Sequence, residues 1–295
     1  MDFASILLII LGLALFETVT SIDNAIINAE WFLTWGLLVA VFALRGLLPF
    51  FIVWAVNPSV GPIGAITATF SNDPHVVEEI ESSAPVLLVG GGIFMVFIFF
   101  HWLFLEPKNF GLKGERFIFS QGVWFYAVVS IILATIVWFA LHISQMMAFG
   151  AVVGSTVFFI THGFKENAQK AEKDLLKSKT STSDWSKILY LEAIDGTFSI
   201  DGVLGAFAFT VSVPLILIGN GIGAFVVREL TLRNIENIKK YAYLKNGAMY
   251  SVFFLGLIMI LHSFGFNIPE WFSPIVTASV VGFFFLKSKR ALAKA

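Results

Sequence analysis

Cysteine is absent from the 295-residue chain. Disulfides, thiolate metal sites and cysteine nucleophiles are therefore excluded. Charge is scarce too: Asp, Glu, Lys and Arg make up 13% of the residues, about half of what a soluble domain carries. Neither sign dominates, with 19 basic residues against 20 acidic ones, so the balance gives no sign of a nucleic-acid partner. The opening residues contain no basic n-region and no small-residue cleavage site, and the first apolar run reads as a retained helix rather than a leader. What fills the sequence instead is apolar: 57% hydrophobic residues, 33 Phe and 8 Trp, with a mean hydropathy of +0.85. A soluble helical protein with a greasy core would show apolar runs well short of about 18 residues. These runs are longer, and the expectation is an all-α, polytopic protein of the lipid bilayer.

Hydropathy suggests nine spans, near 3–28, 34–56, 84–105, 118–140, 144–163, 187–210, 213–232, 246–264 and 269–286. The linker 57–83 is acidic, whereas 164–187 is lysine-rich and reads as a solvated loop or helix. If the spans alternate, seventeen of the nineteen Lys and Arg fall on one side; the other two, Arg45 and Arg228, lie within spans. The positive-inside rule then puts the N-terminus outside and the C-terminus in the cytoplasm. The chain divides into a first membrane repeat at 1–143, a linking span with a lysine-rich cytoplasmic loop at 144–186, and a second repeat at 187–295.

Two stretches place carboxylates inside apolar runs: "FETVTSIDNAIINA" and "LEAIDGTFSIDGVLGA". Aligned on Ser-Ile-Asp, Glu17 lies over Asp195, Ser21 over Ser199, Asp23 over Asp201 and Asn24 over Gly202, and the next span in each half carries an arginine. The copies start five spans apart, so they run in opposite directions, an inverted-topology repeat of the kind that builds many secondary transporters. On span one Glu17, Thr20, Ser21, Asn24 and Asn28 form one helical stripe with Asp23 beside it; on span six Glu192, Asp195, Ser199 and Gly202 do the same, with Asp201 aside. Gly196 and Gly202 would loosen that helix or admit a close backbone.

Each intramembrane carboxylate costs about 2.5–3.5 kcal/mol on the insertion scale, and three arrangements would offset it. Salt bridges to Arg45 and Arg228 leave at least three of the five carboxylates over. A proton relay would use carboxyls whose pKa is raised by desolvation. A cation site built of carboxylate and amide oxygens suits hard divalent ions such as Mn²⁺ or Ca²⁺, and it is the arrangement favoured here. His101 and His262 read as packed or interfacial residues, and His162 as facing water. "GNGIG" at 219–223 reads as helix packing rather than a phosphate loop, with Asn220 able to reach the polar seam. The Tyr-Asp and Gly-x-Gly-Asp contexts of intramembrane aspartyl proteolysis are missing, so no enzyme is expected.

"FETVTSIDNAIINA", followed by an arginine-bearing span, resembles the opening of the TerC family of bacterial membrane proteins, and "EAIDGTFSIDG" resembles that family's second motif. With its acidic 57–83 segment, the chain looks closest to the DUF475 branch. The resemblance covers both halves. It implies a fold of the LysE and cation/calcium exporter type and alternating-access export of a divalent metal, chiefly manganese, across the inner cell membrane with proton or Na⁺ coupling. It also implies a link to tellurite resistance. Carried over by position, the metal site is Glu17, Asp23, Asn24, Glu192, Asp195 and Asp201. The residues themselves, not the resemblance, add Ser21, Ser199 and Asn28 from the helical stripes and Asn220 from "GNGIG" as accessory polar groups, and Arg45 and Arg228 as residues to pair with the carboxylates when the ion has left. Gly202 stands where the family usually has Ser. No permanently bound cofactor is expected. Two alternatives remain open: a LysE-like exporter of a small cationic solute, and a membrane anchor for cytoplasmic stress-resistance proteins.

Overall fold

The computed structural model describes residues 2–27, 74–177 and 200–293, with Phe50, Trp54 and Gly61 as single positions; at 22–27, 74–82, 164–177, 200–201, 231–237 and 239 it describes the backbone alone. Among the described residues the structure is helical and contains no strand. In chain order the helices are α1 (Phe3–Ile27), α2 (Pro74–Leu105), α3 (Glu115–Ser120), α4 (Phe125–Leu141), α5 (Gln145–Lys177), α6 (Ile200–Ala206), α7 (Val213–Lys239), α8 (Leu244–Ser263) and α9 (Phe272–Leu292). Six segments are long and apolar enough to cross a bilayer: Phe3–Ser21, Ser83–Leu105, Gly122–Leu141, Gln145–Gly163, Val213–Leu230 and Leu244–Ser263. Spans two and most of six lie outside the described residues.

Local chemistry sets the helix ends. The Asp2 carboxylate accepts the Ser5 N–H at 3.0 Å and caps α1, which holds its pKa below the usual value. Pro74 opens α2, where a missing N–H does no harm, so the helix starts ten residues before the expected span. At Gln121 the expected fourth span is interrupted, and a 3₁₀ turn at Gly122–Trp124 leads into α4. α6 stops at Ala206, four residues before the expected boundary. Tight turn bonds (Phe207 to Leu204, Ala208 to Gly205, Phe209 to Ala206) close its end, and Pro214 in the first turn of α7 starts the next helix.

In lipid there is little hydrophobic drive between helices, and small residues that let backbones approach take its place. α2 and α5 meet this way: a Cβ at Gly150 would lie 2.8 Å from the Val86 carbonyl oxygen, and one at Gly154 would fall on the Gly90 carbonyl. On its other face α2 packs against α8, where a Cβ at Gly92 would come within 2.9 Å of the Gly256 carbonyl oxygen. Phe97, Phe125 and Phe158 fill the core between α2, α4 and α5. A second core joins α1, α2, α6, α7 and α8 around Leu13, Phe16, Met95, Phe209 and Ile216. α4 is apolar all round, and Val123, Trp124, Ile131 and Trp138 on and beside it are exposed, as suits a lipid-facing helix.

The contacts also fix the direction of each helix. Val86–Gly150 and Gly90–Gly154 step forward together, so α2 and α5 are parallel; Gly92–Ile260 and Phe99–Phe253 make α2 and α8 antiparallel. Alternation therefore holds where it can be read. The ends of α2 and α9 and the start of α8 meet: Lys245 pairs with Glu106 at 3.2 Å, and Lys287 donates to the Gly111 carbonyl. The basic groups of these three connections share one end of the bundle, as the alternating spans require.

Candidate functional site: a buried carboxylate seam

Helix α1 forms from an apolar run free of proline, and its hydroxyls are satisfied within it. Thr18 donates to the Ala14 carbonyl at 2.6 Å and Thr20 to the Phe16 carbonyl at 2.9 Å, the back-bonding that hydroxyls adopt in spans. One turn on, Ser21 donates to Glu17 Oε1 at 2.7 Å. Glu17 is wholly inaccessible and Ser21 nearly so. The Glu17 carboxylate thus sits inside the protein roughly 15 Å before Ile27, the last helical residue.

Two other helices close around it. On α7, Gly219 lies against Leu13 and Gly223 against Glu17: a Cβ at Gly223 would stand 2.6 Å from Glu17 Cβ and 2.8 Å from the Ala14 carbonyl oxygen. Because 13 pairs with 219 and 17 with 223, α1 and α7 run parallel. "GNGIG" is therefore helix packing, as the sequence indicates. On α6, Gly202 faces the carboxylate, and a Cβ there would come 3.2 Å from Glu17 Oε2. Gly205 lies on Phe16, and Phe209 packs against Phe16 with ring centroids 5.8 Å apart. As α6 advances α1 recedes, so these two helices are antiparallel. Gly202, lacking a side chain, lets the carboxylate approach the α6 backbone.

Asp23 and Asn24 follow Ser21 on α1, and Asp201 immediately precedes Gly202 on α6. The backbone thus brings Asp201 to the level of the Glu17 carboxylate and puts Asp23 about 9 Å further along α1; their side chains lie outside the described residues. So do Asn28, Arg45, Glu192, Asp195 and Ser199. Glu17 is the one residue of the expected metal set whose side chain is described. Among the described residues no three His, Asp or Glu side chains gather into a metal shell. Arg228 is half-buried on α7, 3.6 Å from Glu229. Asn220, on the same helix, is buried, and among the described residues neither of its side-chain polar atoms is hydrogen-bonded.

A second polar cluster lies at the basic end, and sequence reasoning missed it. Glu115 is buried; its carboxylate accepts the Gly111 N–H at 2.6 Å and the Asn246 amide at 3.0 Å. Lys108 folds back to donate to the carbonyls of Trp102 and Leu103, capping α2; burial, outweighing the nearby Glu115 and Glu106, brings its pKa down to about 8. His162 does not face water as expected. Its ring lies 3.7 Å from that of His101 and stacks on Phe158, while His101 Nδ1 is 3.5 Å from Glu106. The two histidines lie on parallel helices far apart in sequence, and no local period links them. His262 is exposed at the far end of α8.

Long apolar helices in alternating directions, with apolar side chains outward and a carboxylate inside, define a multi-pass helical membrane protein. Residues 22–293 match the family described as "Protein of unknown function (DUF475)", and the chain belongs to that family. It is also similar to the uncharacterized membrane protein YceF of Bacillus subtilis (strain 168), 28% identical over 119 residues, which is 40% of this chain. The match spans 46%, or about half, of YceF's own length. No solved structure matches.

Proposed function

We propose that this protein is a secondary transporter that exports a divalent cation, Mn²⁺ foremost, across the inner cell membrane, with Glu17 in the ion's binding site. The observation that carries the reading is the Glu17 carboxylate itself: fully buried within an apolar helix, where α6 and α7 approach through glycines. Ionisable groups at such depth mark ion or proton paths by default. Oxygen donors without cysteine suit Mn²⁺ or Ca²⁺. The antiparallel crossing of α1, which carries the first Ser-Ile-Asp, and α6, which opens on the Ile-Asp of the second, supports an inverted repeat with its site between the halves. The motif resemblance to TerC-type exporters favours manganese. Asp23, Asn24, Glu192, Asp195 and Asp201 complete the proposed shell, protons or Na⁺ return through the same carboxylates, and Arg45 and Arg228 pair with them when the ion has left.

The test is Mn²⁺ flux in liposomes containing the purified protein. Flux in the wild type that is lost in Glu17→Gln, Asp23→Asn and Asp201→Asn supports the reading. Absence of flux, or flux indifferent to all three substitutions, overturns it in favour of a small-solute exporter or a membrane anchor.

A further inference from the structure

Asn220 is 4% exposed, and among the described residues neither its amide oxygen nor its amide nitrogen has a hydrogen-bond partner. Buried amides are rarely left so. Its position is specific. On α7 the buried residues are Val213, Ile216, Gly219, Asn220, Gly223, Ala224 and Val227, and Asn220 lies near the centre of that stripe. Three residues on is Gly223, whose Cβ position abuts Glu17 Cβ. Residues at i and i+3 have Cβ atoms about 5–6 Å apart, so the amide is rooted one turn from the Glu17 contact. Leucine would fill such a place in a packing helix, as Leu13 does opposite Gly219. A carboxamide there offers an oxygen to a cation and an N–H to a carboxylate, the two functions a shared oxygen shell requires.

We propose that Asn220 is a direct ligand of the transported divalent cation, its side-chain oxygen adding a neutral donor from α7 to the Glu17 carboxylate of α1. The proposal rests on the ion site described above. A neutral donor adds to the coordination without adding to the negative charge of the seam. A hard cation accepts such an amide oxygen readily.

Mn²⁺ binding to the purified protein in detergent, by isothermal titration, tests this with Glu17→Gln, Asn220→Leu and Asn220→Asp, alongside the thermal midpoint of each metal-free variant. Asn220→Leu removes the unpaired amide while keeping the branched shape and the number of heavy atoms. It is expected to keep or raise the midpoint while weakening Mn²⁺ about tenfold or more, with Asn220→Asp binding at least as well as the leucine variant. Wild-type affinity in Asn220→Leu, beside lost binding in Glu17→Gln, overturns the role of Asn220 and leaves the ion site standing. A lowered midpoint in Asn220→Leu, with no recovery of binding in Asn220→Asp, makes the residue structural and also overturns it. A wild type that binds no Mn²⁺, or a Glu17→Gln that binds like it, overturns the ion site and this inference together.

Discussion

Glu17 and Glu115 are equally shut off from solvent, at 0% and 1% exposure, yet their surroundings differ in kind. Glu115 opens α3 at the basic end of the bundle, where a helix N-terminus favours an acid. It ties the loop after α2 to α8 through the Gly111 N–H and the Asn246 amide, 131 residues away in sequence. Glu17 sits deep in a span, with Ser21 on its own helix as donor and glycines of α6 and α7 brought against it. Burial alone thus does not mark a transport site. A carboxylate that locks a loop with backbone and amide donors is an anchor, whereas the one enclosed by α1, α6 and α7 is the one proposed above to meet an ion.

The largest expected effect comes from closing the seam. Gly223→Leu would drive a side chain into Glu17 Cβ and the Ala14 carbonyl, and should abolish both Mn²⁺ flux and a monodisperse peak in size-exclusion chromatography. A normal peak with normal flux would mean that α1 and α7 do not depend on this contact. Next comes the direct exchange between the two acids. Glu17→Gln should reduce flux about a hundredfold or more with little change in thermal midpoint, since it removes a buried charge. Glu115→Ala should keep flux per folded molecule but lower the midpoint, because it strands the Gly111 N–H at about 1–3 kcal/mol and leaves the Asn246 amide only the Asn109 carbonyl as acceptor. The reverse pattern would exchange the roles assigned to the two residues.

Lys108 gives a smaller, pH-dependent effect. Its folded pKa of about 8 lies below the ordinary 10.5, so between those values the unfolded chain binds more protons and stability rises with pH. Below about pH 8 both states carry the charge and the burial penalty is fully present. A thermal midpoint that climbs between pH 8 and 10 in the wild type, and climbs less in Lys108→Met, is the expected outcome; equal slopes would refute it. Smallest is Lys245→Gln, which breaks the half-exposed pair with Glu106. It should cost about 0–1 kcal/mol by thermal denaturation, and a larger loss would show that the basic end is coupled more tightly than its geometry indicates.

Periodicity and hydropathy located six membrane-length segments but not their ends, and at the place of the ninth expected span α9 is helical without being among those six. α2 begins at Pro74 rather than 84, α5 runs to Lys177 rather than 163, and α7 to Lys239 rather than 232. Hydropathy reports where a helix can contact lipid, while hydrogen bonding carries it on into polar sequence. Glu17 was legible because an acid inside an apolar stripe is conspicuous. The Glu115–Asn246 link and the His101–His162 pair were not, since each joins residues far apart in sequence that no local period connects. The glycines of "GNGIG" announced close packing; that Gly223 would meet Glu17 required the register of α1 on α7.

That register has a consequence for how the protein is made. Thr18 and the Gly223 carbonyl it reaches are 205 residues apart, so Glu17 is synthesised long before the glycines that enclose it. At roughly 5–20 residues per second, α1 waits about 10–40 s with its carboxylate uncovered. During that interval the acid stays near the translocation channel, meets water, or is neutralised by a proton. Biogenesis of this fold therefore places a buried acid in the membrane early and encloses it only when the hairpin of α6 and α7 arrives to clasp it.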